Sequence, residues 1–411
     1  MSTDETSQTL RQEIFHGNCM ELMKSTKDNT YTAIISDPPY GISYMGRKWD
    51  YNVPSVDMFK EMLRVTKSGG YALIFGGART FHRMAVNMED AGWELRDTMM
   101  WLYASGFPKS MNISKAIDKD LGLEREVVGR INLAGTGRAA SSGVTTAAQD
   151  GYEIKRTEME ITKPACEESR EWYGYGTSLK PAYEPIIVAM KPLDKSYVNN
   201  IRSTGIGGIN IDECRIGEDF DRIEYCEEKM KQGNGEIPYF FDIHTLTRGK
   251  FPANVMHDGS DECRDIFREH FRAFLCSKPT KEEKERGLEN FIGKKGHVVS
   301  NRKEGSRGMN NPAAGRRGGH YKNTHPTVKP LDLMRYLATM VKMPNDKSLI
   351  LDPFCGSGTT VLACKSLGMK AHGFEREEEF VAIARSRIQQ PLEGQFEKWT
   401  WKKVDKQMKL F

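Results

Sequence analysis

No apolar run in this chain is long enough to cross a bilayer, which excludes a membrane-spanning helix as its organising feature. The opening residues, MSTDETSQTL, are polar and acidic and lack the basic and apolar segments of a secretory leader. A cytoplasmic protein is the expectation. The eight cysteines include no CxxC pair. Cys214, Cys226, Cys263 and Cys276 with His257 and His270 have spacings that fit no common zinc pattern, so no metal is expected and reduced thiols are the default. Internal repeats are missing. So is a large excess of one charge: 60 basic residues stand against 56 acidic ones, a net of +4, which by itself announces no nucleic-acid partner. What remains is a soluble chain of 411 residues, long for one domain and natural for two.

The charge is unevenly placed. Between His297 and Pro330 there are seven basic residues, Arg302, Lys303, Arg307, Arg316, Arg317, Lys322 and Lys329, against one acid, Glu304. The stretch 212–236 is the reverse, with nine acids and four bases. The N-terminal part alternates strand and helix signals: Ile14–His16, a helical Met20–Lys24, the apolar Tyr31–Ser36, an amphipathic Val56–Val65, the run Tyr71–Phe75, a helix over Thr80–Ala91 and a strand over Thr98–Tyr103. From about Ala104 the rhythm breaks, and only Glu184–Met190 reads as a strand before about Thr327. It then returns as helix Pro330–Met340, strand Lys347–Asp352, helix Thr359–Leu367, strand Lys370–Phe374 and helix Glu377–Ile388. Strands separated by helix-length segments predict an α/β fold with a parallel sheet, split between the two ends of the chain.

Two loops carry the chemistry. In Ser36-Asp37-Pro38-Pro39-Tyr40-Gly41, a strand stops at two residues without N–H groups. One carboxylate and one ring are thereby left on a stiff turn at the carboxyl end of a strand, where open α/β sheets bind ligands. A plain Pro-rich turn is the competing reading. The second loop, Asp352-Pro353-Phe354-Cys355-Gly356-Ser357-Gly358-Thr359, runs from strand to helix through glycines that let a ligand approach the backbone. Val361 stands where a dinucleotide fingerprint has its third glycine, and the Lys of a phosphate-binding P-loop is missing. A nucleoside cofactor without a pyrophosphate fits better than a nicotinamide dinucleotide. Glu375, at the end of the next strand, is placed to accept from ribose hydroxyls. Asp352 reads either as part of that site or as a strand-end cap.

These segments together resemble the β-type S-adenosylmethionine-dependent DNA amino-methyltransferases, whose DPPY turn precedes the glycine loop. His16-Gly17-Asn18-Cys19 resembles the family's HGDC segment, His325-Pro326-Thr327-Val328-Lys329-Pro330 its HPTQKP segment, and Gly373-Phe374-Glu375 with Phe380–Arg387 its G-x-E and Y-x-x-x-A-x-x-R segment. Asn18 replaces the usual Asp, and Val328 the usual Gln. The resemblance implies an open, mostly parallel, circularly permuted Rossmann-like sheet with helices on both faces. It divides the chain into a catalytic half at 1–104, an irregular α+β target-recognition region at 105–324, and a cofactor half at 325–411.

The resemblance also implies a division of roles. Asp37, with the Pro38 carbonyl, would hold the exocyclic amino group of a flipped-out adenine on a turn stiffened by Pro39, and Tyr40 would stack on the base. S-adenosylmethionine would rest on Asp352, Pro353, Phe354, Gly356, Gly358, Thr359 and Glu375, with Asn18 near its adenine. Double-stranded DNA would meet Arg47, Lys48, Arg302, Arg307, Arg316, Arg317 and Lys329. Asp at position 37 favours adenine-N6 over cytosine-N4, whose subgroup usually carries Ser there. A non-catalytic DNA-binding module is the rival from another class. A homodimer and a bacterial or phage-encoded restriction-modification setting are further expectations, although no nuclease motif stands in this chain. If the basic segment tracks phosphates, neutralising Arg316 and Arg317 together weakens DNA binding at every sequence and lowers the salt slope by roughly two units. A salt titration with an unchanged slope would show a solvated loop instead.

Overall fold

Short apolar runs bounded by glycine, proline or Asx signals alternate with amphipathic stretches, and the chain folds accordingly. A computed structural model describes residues 12–43, 46, 48–106, 110–132, 158–215, 251–260, 263, 274–299, 320–344 and 347–390. Its strands are β1 (Gln12–His16), β2 (Tyr31–Ser36), β3 (Thr66–Phe75), β4 (Glu94–Leu102), β5 (Val127–Asn132), β6 (Glu158–Thr162), β7 (Tyr183–Met190), β8 (Val255–His257), β9 (Phe274–Leu275), β10 (Lys294–Lys295), β11 (His320–Tyr321), β12 (Leu349–Asp352) and β13 (Lys370–Glu375). The helices are α1 (Cys19–Lys24), α2 (Val56–Val65), α3 (Phe81–Asp90), α4 (Ile113–Asp120), α5 (Glu167–Glu171), α6 (Tyr197–Thr204), α7 (Lys281–Glu285), α8 (Gly296–Val299), α9 (Leu331–Met340), α10 (Thr359–Ser366) and α11 (Glu378–Gln389).

Among the described residues, one nine-stranded sheet has the order β1-β13-β12-β2-β3-β7-β4-β8-β9. The pairs β1–β13, β13–β12, β12–β2, β2–β3, β4–β8 and β8–β9 are parallel, and β3–β7 is antiparallel. All six residues of β2 are buried, as expected for a run apolar on both faces in the middle of a sheet. Helix α2 is capped by Ser55, whose Oγ accepts from Met58 N, and buries Phe59, Met62 and Val65 along one stripe. Those side chains join Ile34, Ala72, Ile74, Trp93, Leu351 and Phe374 in one core.

The strand β3 begins at Thr66 rather than Tyr71, with a register shift against β2 between Tyr31 and Ala33. Glu184–Met190, which lies inside the 105–324 stretch, enters the main sheet as β7. Its Ile186–Met190 core is wholly apolar and requires two-sided burial. The chain divides into two compact units. One takes in 1–102, 184–291 and 325–411; the other takes in 103–183 and 292–324. The second unit contains the antiparallel pairs β5–β6 and β10–β11. In it Arg125 ties Ser114 and Asp118 of α4 to Thr162 of β6.

After β2 the chain moves to β3 on one side, and after β12 it moves to β13 on the other. The carboxyl ends of β2 and β12 therefore flank a topological switch point. Asp352 rivets that point. Its Oδ1 accepts from Ser36 Oγ (2.6 Å) and Phe354 N (3.1 Å), and its Oδ2 accepts from Thr360 Oγ1 (2.5 Å). Burial pushes its pKa from 3.8 up to about 6, with those three hydrogen bonds opposing the rise. The folded state thus holds this proton more tightly than the unfolded chain does, and the group's contribution to stability falls as pH rises from 3.8 to about 6. Asp352→Asn cannot titrate, so its unfolding free energy should decline less steeply than the wild type's across that window. Parallel slopes in denaturant unfolding would contradict this.

Candidate active site

Asp37, Pro38, Pro39 and Tyr40 follow directly on β2. The two prolines offer no N–H, and the next two amides, Tyr40 N and Gly41 N, donate to one buried acceptor, Asp50 Oδ1 (2.6 and 2.9 Å). The turn is thus held from behind by the carboxylate of Asp50, which the sequence reading did not single out.

On its open side the Tyr40 hydroxyl donates to Asp37 Oδ1 (2.6 Å) and lies 3.3 Å from Glu184 Oε2. Burial, with Asp37 and Glu184 close by, raises the Tyr40 pKa well above its ordinary value, so the hydroxyl remains a donor. The Lys329 ammonium donates to Asp37 Oδ2 (2.6 Å) and to Tyr40 Oη (3.1 Å), and pairs with Glu184 Oε2 at 3.2 Å. It also lies 4.7 Å from the centre of the Phe75 ring and 5.4 Å from that of Tyr40. Burial alone would lower the Lys329 pKa, but Asp37 and Glu184 outweigh it and hold the ammonium above the ordinary lysine value.

Lys329, expected at DNA, is turned inward by this geometry. Only 9% of the residue is exposed, because two carboxylates and two rings enclose it. Of the other basic residues expected at DNA, Arg47, Arg302, Arg307, Arg316 and Arg317 lie outside the described residues, as does the side chain of Lys48.

The glycine loop lies one strand away. Cys355 N donates to Phe374 O (3.0 Å), and Gly356 N donates to Glu375 Oε2 (2.9 Å). Glu375 Oε1 accepts from Glu377 N (2.8 Å). Burial raises the Glu375 pKa, against the pull of these backbone N–H groups. Gly356 has φ +54°, and a Cβ there would sit 2.6 Å from His325 Nε2. Gly358, at φ +79°, opens α10 where a Cβ would press on Ala384. Arg387, almost fully buried, fastens the loop from beneath. Its Nη1 donates to Ser357 O (2.6 Å), Ser357 Oγ (3.0 Å) and Thr359 Oγ1 (3.0 Å). Gly17 N donates to Glu375 O (2.9 Å), which brings the end of β1 alongside. The next residue, Asn18, caps α1 by accepting from Met20 N (2.9 Å), and its side chain is exposed.

The sequence-predicted residues thus fall into two groups. Asp37, Tyr40, Phe354, Glu375 and Asn18 retain access to solvent beside the two loops. Asp352, Pro353 and Thr359 are buried, and the carboxylate of Asp352 is committed to internal donors. These contacts are those of a strand-end cap. Glu184, Asp50 and the ion pair of Lys329 are the partners that sequence reasoning missed. Lys329 carried one signal, its place just before the proline that opens α9.

The family model for N6_N4_Mtase, DNA methylase, matches residues 31–386. Among curated proteins, the type II methyltransferase M.HinfI of Haemophilus influenzae is 38% identical over 69 residues, 17% of this chain and 19% of that protein. M2.DpnII of Streptococcus pneumoniae is 42% identical over 67 residues, 16% of this chain and 24% of that protein. These matches span about a fifth of the relatives' own length. Among solved structures, an M1.HpyAVI–SAM complex is 15% identical, with 92% of this chain and 100% of that one covered at a TM-score of 0.39. The cytosine-N4-specific PvuII DNA methyltransferase is 13% identical, with 97% and 92% covered at 0.43. With residues 31–386 of its 411 matched, the chain belongs to the N6_N4_Mtase family of DNA methylases.

Proposed function

We propose that the protein methylates the N6 amino group of adenine in double-stranded DNA, using S-adenosylmethionine. One observation carries this reading: the Asp37 carboxylate stands at the end of β2, directly across the switch point from the glycine loop that follows β12. Methyl donor and amino acceptor must meet in line at near-attack distance, and two loops at one crevice supply that arrangement.

The cofactor, when bound, supplies a methyl group on a sulfonium sulfur, and the C–S electron pair stays with sulfur as a thioether. The residues beside the glycine loop fit its adenosine half. Glu375 has lone pairs left over for ribose hydroxyls, Phe354 offers a half-buried ring, and Asn18 Oδ1 is an exposed acceptor for an adenine amino group.

Asp37 and the Pro38 carbonyl accept from the hydrogens of the target amino group. This draws its nitrogen toward sp³ geometry and frees a lone pair otherwise delocalised into the ring. The same acceptors stabilise the positive charge that builds on nitrogen as the N–C bond forms. The surplus proton then leaves for solvent. The target base reaches this turn only by leaving the duplex, and the Tyr40 ring would stack on it. The backbone grip of Asp50 keeps the turn from relaxing away from that geometry.

Nucleoside mass spectrometry of DNA treated with the enzyme should find N6-methyladenine. A product consisting of N4-methylcytosine alone would contradict the assignment. Asp37→Ala should nearly abolish methyl transfer with cofactor affinity close to normal. Glu375→Ala should instead weaken cofactor binding by about 1–3 kcal/mol, the scale for hydrogen bonds to a charged group. Calorimetry paired with single-turnover assays separates the two effects, and an active, folded Asp37→Ala would rule out this turn as the reaction centre.

A further inference from the structure

The turn contains a charge that the chemistry does not ask for. Lys329 sits 2.6 Å from Asp37 Oδ2, the carboxylate assigned to a nitrogen that becomes positive during transfer. An ammonium there opposes that charge and competes for the same acceptor. With Tyr40 on Oδ1 and Lys329 on Oδ2, each Asp37 oxygen already has a donor. Glu184 is the counterweight. Its Oε2 lies 3.2 Å from Lys329 Nζ, only 0.6 Å farther than Asp37 Oδ2. The three protons of the ammonium thus face three acceptors, Asp37, Tyr40 and Glu184. Asp37, Glu184 and Lys329 together carry a net charge of −1, whereas Asp37 and Lys329 alone would be neutral; the Asp50 carboxylate is committed to the amides on the other side of the turn. Of the neighbouring charges, Lys278 acts on Glu184 and Lys329 and is itself offset by Asp258, and Asp352 acts on Asp37 from behind the turn.

We propose that Glu184 is a positioning residue that draws Lys329 off Asp37 as the target amino group enters, so that Asp37 Oδ2 is free to accept from the base. The inference rests on the methyl-transfer reading above. The exchange needs only a short swing of the lysine head, because its stem is anchored next to Pro330 at the start of α9 and both carboxylates are already within reach. Tyr40 keeps its bond to Asp37 Oδ1 throughout and so preserves the orientation of the carboxylate. No covalent bond changes in this step.

Glu184→Gln keeps the shape and removes the charge. Its turnover should fall about a hundredfold, the scale of losing one charge-stabilising group at a reacting centre. Cofactor affinity by calorimetry and KM for DNA should stay within about twofold. Glu184→Asp keeps the charge and should retain most of the rate. The decisive variant is Glu184→Gln with Lys329→Met, which removes the cation left on Asp37 and should recover most of the loss, a non-additive result that a purely structural carboxylate does not produce. Wild-type turnover in Glu184→Gln would overturn the inference. So would a loss tracked by a lower melting temperature and left unrecovered by both Glu184→Asp and the double variant. If the wild-type protein itself transfers no methyl group to DNA, the functional reading fails, and the inference fails with it.

Discussion

A single buried carboxylate keeps two distant parts of the chain in one place. Asp352 ends β12 and receives hydrogen bonds from Ser36 at the end of β2, from the amide of Phe354 in the glycine loop, and from Thr360 in the first turn of α10. Parallel pairing of β12 with β2 sets the two strand ends side by side, and Asp352 fixes how the loops leave them. Everything proposed for the site depends on that adjacency. Asp37 lies next to Ser36, and Glu375 binds the amide of Gly356. A shift of one strand end relative to the other would separate the amino acceptor from the methyl donor, and methyl transfer tolerates little misplacement.

A second constraint is electrostatic. Carboxylates crowd the carboxyl edge of the sheet, and each has a different task. Asp50 grips backbone amides, Asp352 joins loops, Glu375 supports the glycine turn, and Asp37 faces the turn's open side with Glu184 behind it. Burial raises the pKa of Asp352 to about 6 and that of Glu375 above its ordinary value. Asp37 differs in having a lysine against it. Methyl transfer at Asp37 therefore includes the release of that lysine as part of the proposal.

Much of this was legible in the sequence because the physics was local. The strand β2 is six apolar or small residues stopped by two prolines, and its bounds follow from proline's missing N–H. The bounds of α2 follow from Ser55 and a stripe of Phe59, Met62 and Val65. Glycines 356 and 358, between a strand and a helix, announced a backbone turn, and both have positive φ. Long-range pairing was harder to read. The strands β8 and β9 are three and two residues long and too short to show a period. The antiparallel entry of β7 beside β3 leaves no trace in its paired run Ile186–Met190, which is apolar throughout. Lys329 was grouped with the basic residues that precede it, and only the fold shows that its head turns inward to Asp37. Asp352 read two ways, as part of the cofactor site or as a strand-end cap, because a strand-end acid beside a glycine loop has the same sequence signature in both cases.

Methyl transfer at this site requires one crevice to hold the methyl donor and the target amino group together. The most direct test is the structure of the protein bound to a bisubstrate analogue in which an adenosyl group is tethered to the N6 nitrogen of adenine. The ribose hydroxyls should lie on Glu375 and the tethered nitrogen about 3 Å from the Asp37 carboxylate, with Lys329 displaced from it. An adenosyl group seated away from the Phe354–Gly358 loop, with Asp37 still closed by Lys329 and Tyr40, would contradict it.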